Sequence, residues 1–262
     1  MHITFGMLAA QWRILIALIL HDIRSRMGGT AFGFLAMAIG WPLAHMLLVI
    51  GIHSVLGRSV PFGDSIVLWY GTGVVPYLAF NYVSRYVMLG IVLNRPLLSI
   101  PIIKATDIVF ARAIVEVLNS GAVVIIFFAI FWALGIDFLP RDMVQASLAM
   151  LAMIFLGLGY GVVNAVIAAM FRTWVTGFIL IQIILWIASG VMFVPDQLPE
   201  PARVALSYLP PLQGVEWMRS AYFPGYGDAV LDKTYLITFS AAALFLGLAM
   251  ERMMRGKLYQ AS

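Results

Sequence analysis

The stretch Val144–Phe171, VQASLAMLAMIFLGLGYGVVNAVIAAMF, decides the fold because it is long, apolar and without a charged side chain. A helix needs about 20 consecutive, mostly apolar residues to cross the hydrocarbon core of a bilayer. This stretch meets that requirement. It therefore predicts a helix that spans a membrane.

Five further stretches have the same character, which predicts an all-α integral membrane protein with six transmembrane helices. They are Phe32–Leu56, Ile66–Val92, Ile108–Ile136, Val175–Val194 and Tyr235–Met250. Several of the six exceed the length of a span, so we expect tilt or extension of the helix into water. The last stretch is the shortest.

The composition indicates a surface that faces lipid. Apolar residues make up 63% of the chain and charged residues 11%, whereas soluble domains contain about 45–50% and ~25%. So few charged groups cannot cover a water-facing surface. Because six spans leave no room for a sizeable soluble domain, we expect one transmembrane domain over residues 1–262. Cysteine is absent, which excludes disulfides, thiolate metal sites and a cysteine nucleophile.

The distribution of Lys and Arg predicts that both termini are cytoplasmic. With the N-terminus inside, ten of the 16 basic residues flank the cytoplasmic ends of the spans, five lie outside, and Arg85 lies within the second span. Positive charge accumulates on the cytoplasmic side of membrane proteins. This rule accounts for the net charge of +4, so we do not expect the protein to bind nucleic acid.

Residues 1–30, before the first span, predict an amphipathic helix at the cytoplasmic membrane surface. Phe5–Met27 contains Trp12, has a long apolar face and ends in a polar, basic cluster. Such a helix suits the boundary between lipid and water. The alternative is a poor additional span.

Residues 195–233, before the last span, are punctuated by proline and are predicted on the periplasmic side. Their apolar stretches, Val204–Leu209 and Val215–Phe223, are too short to span a membrane. Irregular backbone is tolerated at membrane depth only against protein or a water-filled cavity. We therefore expect short re-entrant helices at an outer gate or channel mouth.

The sequence shows no catalytic or metal-binding signature. It lacks a Gly-rich phosphate loop with Lys, a His-Glu-x-x-His set and a Gly-x-Ser-x-Gly turn. A membrane-embedded enzyme would need acids or histidines clustered near one interface. We expect Asp196, Glu200 and Glu216 to be solvated loop acids instead, and His45 and His53 to be polar groups that face the bundle interior.

Ionisable groups inside a membrane are functional candidates because their burial in lipid is costly. Arg85 lies in the inner half of the second span near Tyr82. It either snorkels to the inner headgroups or lines a polar path. Most aromatic residues are expected in the interfacial belt, although a few could stack on sugar rings in such a path. Arg112 and Glu116 are expected to pair across one helical turn.

Three groups of short motifs follow one another along nearly the whole chain. They are Ile23-Arg24-Ser25-Arg26-Met27-Gly28 with Gly33, Pro42 and Ala44-His45; Asn94-x-x-Leu97, Lys104-x-x-Asp107, Ala111-Arg112-Ala113 and Glu116; and Pro211-Leu212 before Glu216, with Pro224-Gly225-Tyr226. In this order they resemble the membrane subunit of ATP-binding-cassette exporters for bacterial surface polysaccharides, closest to the capsular-polysaccharide permeases. The chain departs from that family at Trp41, where Glu is frequent, and at Pro210, where Asn is frequent.

The resemblance implies a half-transporter in the bacterial inner membrane. Two copies would form the channel for a lipid-linked polysaccharide, and two separate ATPase subunits would bind ATP and Mg. This chain would then need no cofactor and would not itself be an enzyme. A periplasmic polysaccharide co-polymerase is a further implied partner. Exporters of O-antigen, teichoic acid or a drug on the same scaffold remain alternatives.

The resemblance also implies a contact surface for the ATPase. Residues 94–105 match the cytoplasmic coupling segment of the family. Within it, Asn94, Arg95, Leu97 and Lys104 are the candidate coupling residues.

A second implied site concerns entry of the substrate. Arg24 and Arg26 match the basic end of the gating helix, where the phosphate of the lipid-linked polymer would enter. Guanidinium offers phosphate bidentate, charged hydrogen bonds. Contact with anionic lipid of the inner leaflet is the alternative. Together with Tyr82 and Arg85, these two arginines are the substrate-binding candidates.

Overall fold

The structure, a computed structural model, describes residues 5–26, 40–57, 59–133, 135–227 and 229–260, and no strand occurs within these ranges. The helices in chain order are α1 Phe5–Arg26, α2 Trp41–Val55, α3 Ile66–Leu93, α4 Ala105–Ala133, α5 Met143–Met170, α6 Trp174–Ala188, α7 Glu200–Ser207, α8 Pro210–Tyr222 and α9 Lys233–Gln260. Short 3-10 turns lie at Arg95–Ser99 and Pro195–Gln197. The described part of the chain therefore confirms the all-α prediction.

Four of the described helices, α3, α4, α5 and α9, are long and apolar enough to cross a membrane. Helices α2 and α6 have 15 residues each, which gives about 22 Å of helix against a hydrocarbon core of about 30 Å. The predicted second, third and fourth spans correspond to α3, α4 and α5. The first part of the predicted first span, residues 32–39, lies outside the described residues.

The predicted end of the fifth span is wrong. We expected this span to reach Val194, but α6 ends at Ala188. Gly190 has a positive φ of 78°, a left-handed conformation that cannot continue a right-handed helix. The chain beyond it is irregular yet buried, with Val191 fully enclosed.

Helix α9 contains the predicted sixth span and continues well past Met250. A carboxylate oxygen of Glu251 lies 2.9 Å from a guanidinium nitrogen of Arg255, at the i, i+4 spacing that stabilises helices. Leu258 is buried near the end of the helix. Local pairing and packing thus extend the helix beyond its apolar stretch.

Helix α5 lies at the centre of the bundle between α3 and α9. A Cβ placed on Gly157 would lie 2.8 Å from the backbone oxygen of Phe80 in α3, and a Cβ on Gly159 would lie 2.5 Å from that of Ser240 in α9. Only glycine permits so close an approach of two helix backbones. The glycines of α5 therefore fix the spacing of the three central helices.

The prediction that Glu216 is a solvated acid is wrong. Glu216 and Arg219 of α8 are both buried, and a carboxylate oxygen of Glu216 lies 3.4 Å from Nη1 of Arg219. The hydroxyl of Tyr226 donates a hydrogen bond of 2.8 Å to the same carboxylate. By contrast, Asp196 and Glu200 are exposed, as expected.

Arg219 holds the irregular backbone that follows α6. Its guanidinium donates hydrogen bonds to the carbonyl oxygens of Gly190, at 2.6 Å, and Val191, at 2.9 Å. It also stacks 3.5 Å from the centre of the Trp69 ring in α3. Both carbonyls follow the C-terminus of α6, whose negative end favours a nearby cation.

Candidate functional site

A cavity of about 230 Å³ opens between α2, α3 and α6. Its lining combines aromatic, polar and basic side chains. The lining residues are His45, Tyr77, Leu78, Asn81, Tyr82, Arg85, Phe178, Ile179, Gln182, Ile183 and Trp186. The structure thus brings two predicted site residues, Tyr82 and Arg85, to one place.

The polar side chains of the cavity come from one face of α3, where Tyr77, Asn81 and Arg85 are spaced four residues apart. Residues at this spacing lie above one another on a helix. Gln182 of α6 faces them. Its side-chain oxygen accepts a hydrogen bond of 3.3 Å from Asn81, and its amide nitrogen donates one of 3.0 Å to the hydroxyl of Ser84.

The hydroxyl of Tyr77 adds a third link between the two helices. It donates a hydrogen bond of 2.9 Å to the backbone oxygen of Gln182. Gln182 and Tyr77 are both buried. Polar side chains hydrogen-bond across helices in this way because an unsatisfied polar group in hydrocarbon is costly. The network fixes α6 on α3 and keeps the polar side of the cavity in place.

Aromatic rings form the other part of the cavity wall. The ring of Trp186 lies 4.8 Å from that of Tyr77 and 5.8 Å from that of His45, in edge-to-face geometry. Aromatic faces next to amide, hydroxyl and guanidinium groups can bind a sugar, since its C–H faces pack on rings and its hydroxyls exchange hydrogen bonds with polar groups. The cavity therefore has the chemistry to bind a carbohydrate chain.

Tyr82 and Arg85 contribute differently to this cavity. The Tyr82 hydroxyl is buried and has no hydrogen-bond partner among the described residues. Arg85 is exposed, and a guanidinium is suited to phosphate and to sugar hydroxyls. Arg85 is thus accessible to a ligand and the Tyr82 hydroxyl lacks a partner, whereas Asn81 and Gln182 hydrogen-bond each other.

Nine of the eleven lining residues were not predicted as site residues, among them His45, Gln182 and Trp186. Gln182 interrupts an otherwise apolar helix, and that signal was present in the sequence. Trp186 looked like a belt residue, and only the packing of α6 beside α3 brings it to the cavity. His45 faces this cavity, whereas His53 is buried elsewhere, with a ring nitrogen 2.7 Å from the hydroxyl of Tyr70.

The N-terminal helix α1 is fastened to α4 by polar contacts at two points. Nε2 of Gln11 donates a hydrogen bond of 2.6 Å to the carboxylate of Asp107. A carboxylate oxygen of Asp22 lies 3.0 Å from Nε of Arg112, and both side chains are buried. Arg112 therefore pairs with α1; its predicted pairing with Glu116 in its own helix stays a prediction.

The predicted entry residues lie at the C-terminal end of α1. Arg24 is exposed, and it is not among the residues that line the cavity. Arg26 is the last residue of α1, but its side chain lies outside the described residues. Arg24 therefore does not line the cavity that contains Tyr82 and Arg85.

Three of the four predicted coupling residues face the protein. The side chain of Asn94 donates a hydrogen bond of 2.9 Å to the backbone oxygen of Gly90 and caps α3. Arg95 donates a hydrogen bond to the backbone oxygen of Ala169, near the end of α5. Leu97 packs against the second hydrophobic cluster. These contacts give the segment its shape.

The exposed surface of the coupling segment includes one predicted residue, Lys104, and two that were not predicted, Ile100 and Ile102. Lys104, the fourth predicted residue, is exposed. Beside it, Ile100 and Ile102 expose 41% and 64% of their surface. Exposed large apolar side chains that lie together are typical of a protein contact surface. The sequence interpretation missed the two isoleucines because it relied on matched motif positions.

Comparison with known proteins found similar chains. The family described as "ABC-2 type transporter" matches residues 72–223. The polysialic acid transport protein KpsM of Escherichia coli is 31% identical over 237 residues, which cover 90% of this chain and 91% of that protein. Two capsule polysaccharide export inner-membrane proteins are each 26% identical: CtrC of Neisseria meningitidis serogroup B, over 93% of this chain and 91% of the relative, and BexB of Haemophilus influenzae, over 94% and 92%.

Proposed function

Since this chain belongs to the ABC-2 type transporter family, we propose that it is the permease subunit of an inner-membrane exporter of capsular polysaccharide. The observation that carries this proposal is the similarity, over nine-tenths of the chain, to relatives named for polysialic acid transport and capsule polysaccharide export. The cavity beside α3, which has the chemistry to bind sugar, supports it. The names of these relatives do not favour O-antigen, teichoic acid or a drug as the cargo.

The proposed permease works without catalytic residues of its own. Two copies form the channel, and two ATP-binding-cassette ATPase subunits, which carry ATP and Mg, dock on the coupling segments at residues 94–105. In this arrangement Ile100, Ile102 and Lys104 contact the ATPase. Asn94, Arg95 and Leu97 hold the segment on the bundle, as their hydrogen bonds and packing suggest.

The proposed topology has six spans in one domain with both termini in the cytoplasm. The spans are the segment that ends with α2, followed by α3, α4, α5, α6 and α9. Helix α1 lies at the cytoplasmic surface, and residues 195–233 form a re-entrant periplasmic segment near a polysaccharide co-polymerase. The excess of basic residues at the assigned cytoplasmic ends supports this orientation.

The proposed substrate path begins at α1 and continues along α3. Arg24 and Arg26 attract the phosphate of the lipid-linked polymer, and Arg85 with Tyr82 then binds the polymer inside the cavity. Guanidinium groups suit the phosphate, and the aromatic wall suits the sugar rings. Membrane lipid contacts the remaining surface.

The ion pair between Asp22 and Arg112 connects the coupling segment, through α4, with α1. Arg112 lies in α4, which begins at the end of the coupling segment, and Asp22 lies in α1. Asn94, Leu97, Asp22 and Arg112 also surround one small cavity. A displacement of the coupling segment by the ATPase is therefore transmitted to the helix that carries Arg24. Because both charges are buried, separating them is costly.

The test combines purification with an export assay. The tagged chain, purified from native membranes in mild detergent, is expected to retain an ATPase with vanadate-sensitive turnover. A strain that lacks the permease is then complemented with Arg85→Ala, Tyr82→Ala or the control Phe245→Ala, which alters an exposed side chain of α9. The cavity variants should export less capsule at equal membrane levels, and the control should not.

Two results would contradict the proposal. A purified chain without any associated ATPase would rule out the exporter. Normal export by both cavity variants would leave the family assignment intact but would remove the cavity from the substrate path.

A further inference from the structure

A second cavity, an apolar groove of about 460 Å³, lies between α3, α4 and α5. It shares no lining residue with the candidate site. Its walls are formed mainly by aliphatic and aromatic side chains, among them Val75 of α3, Val117 and Ile125 of α4, and Met150 and Leu151 of α5. This composition excludes a sugar or an ion as its occupant and indicates a hydrocarbon chain.

The groove exists because α4 and α5, although consecutive, have few contacts with each other. Phe127 and Phe138 are buried and form part of its lining. On α4, Gly121 leaves a gap, since a Cβ placed there would meet no atom within 4 Å. Ile125 and Leu151 expose 70% and 58% of their surface beside it. The groove is therefore open on its side, toward the surroundings of the bundle.

The length of the groove matches one leaflet of a bilayer. Its lining on α5 runs from Met143, the first residue of the helix, to Ile154. These eleven helical steps correspond to about 16 Å, which is half of a hydrocarbon core of about 30 Å. A groove of this length suits an acyl chain that enters from the membrane surface and ends near the midplane.

A basic side chain, that of Arg141, lies next to the surface end of the groove and lines an adjoining cavity that shares Met143 with it. Arg141 lies in sequence between Pro140 and Met143, which both line the groove. It is exposed and forms no ion pair with any residue that the structure describes. The neighbouring carboxylate of Asp142 accepts a hydrogen bond of 3.0 Å from the backbone of Gln145 and caps α5. Arg141 is thus free to bind the phosphate of a lipid headgroup.

We propose that this groove is a binding site for one phospholipid, with an acyl chain between α4 and α5 and the phosphate on Arg141. The lipid belongs to the outer leaflet if the orientation given under the proposed function holds. It fills a gap that the two helices would otherwise have to close. The site is independent of the substrate, so its test needs no export activity.

The experiment uses the full chain in liposomes that contain phosphatidylglycerol with a photoreactive diazirine in its acyl chain. After irradiation, crosslinked peptides are mapped by mass spectrometry. Crosslinks to Ile125 and Leu151 should exceed those to Phe245 by about fivefold, which corresponds to about 1 kcal/mol. Phe245 is the reference because its side chain is also exposed, on α9. Arg141→Gln should lower this excess without moving the crosslinks elsewhere.

The decisive test is a variant whose side chain fills the groove. Gly121→Phe places a ring in the gap and should reduce the groove crosslinks to the level of Phe245. Ala129→Phe is the matched control, because Ala129 is exposed on the same helix and does not line the groove. If Gly121→Phe does not fold, Ser147→Phe fills the groove from α5.

Three outcomes would overturn the proposal. Crosslinks spread evenly around the bundle would mean ordinary surface lipid. Groove crosslinks that persist when the gap is filled would place the lipid elsewhere. Crosslinking of a photoreactive residue at Ile125 to a second copy of the chain would show that protein, not lipid, occupies the groove.

Discussion

Replacing Arg219 with methionine is expected to destabilise the protein by about 3–5 kcal/mol, the usual result of removing one partner from a buried ion pair. Arg219 is fully buried, and it donates hydrogen bonds to the carbonyl oxygens of Gly190 and Val191. Each buried carbonyl left without a donor costs about 1–3 kcal/mol. Methionine also loses the contact of the cation with the ring of Trp69, worth about 0.5–2 kcal/mol.

The effect of this substitution should depend on pH through Glu216. Burial raises the pKa of Glu216 to about 7, although Arg219 acts in the opposite direction. Without Arg219 the pKa rises further. A carboxyl group whose pKa is higher in the folded than in the unfolded state contributes stability below its unfolded pKa, about 4.3. This stability is lost as pH rises through the folded pKa. Arg219→Met should therefore be more damaging at about pH 8 than at about pH 6, and adding Glu216→Gln should remove this difference.

The assay is thermal unfolding of the detergent-solubilised protein, with the loss of the folded peak in size-exclusion chromatography as the readout. The expected free-energy loss corresponds to a decrease in Tm of roughly 10 °C for a chain of this size. Arg203→Met is the control, because Arg203 of α7 is only half-buried and such substitutions change stability by about 0.5 kcal/mol or less. A Tm for Arg219→Met that equals the control at both pH values would refute the role assigned to Arg219.

Three further predictions follow from contacts described above. Gly159→Ala should destabilise the protein by about 1–3 kcal/mol, because its Cβ would lie 2.5 Å from the backbone oxygen of Ser240. Gly121→Ala is the control: its Cβ would meet open space, so it should be neutral or stabilising. Melting curves of both variants test this. Ile102→Glu should leave the melting temperature unchanged and abolish co-purification of the ATPase; retention of the ATPase would contradict the docking surface. Gln182→Leu removes the side-chain hydrogen bonds to Asn81 and Ser84 and keeps the backbone oxygen that Tyr77 binds. It should lower stability by about 1 kcal/mol, which denaturant titration of the reconstituted protein can detect.

The long helices were predictable because their signals are local. The apolar stretches of α3, α4 and α5 each exceed the length of helix that crosses a bilayer, and α3 and α5 begin at side chains that cap helices, Ser65 and Asp142. Tyr82 and Arg85 were found for a similar reason, since polar groups within a span are conspicuous. Their position in a cavity is consistent with that prediction and does not test their role.

Long-range packing could not be read from the sequence. The stretch around Glu216 and Arg219 has the prolines and charges of a surface loop, and its burial depends on contact with Trp69 in a distant helix. Arg112 has a candidate partner four residues away, Glu116, and that pairing stays a prediction; the structure adds an ion pair with Asp22 of α1. Local spacing indicates neither this ion pair nor the burial of Glu216, because both depend on tertiary contacts.

The glycine contacts of α5 also bear on which parts of the protein can move. Gly157 and Gly161 face α3, and Gly159 faces α9, each with less than a methyl group's room to spare. Close-packed interfaces of this kind do not deform continuously. Helices α3, α5 and α9 are therefore expected to move as one rigid unit, so a rearrangement of the bundle would have to displace its other helices relative to these three.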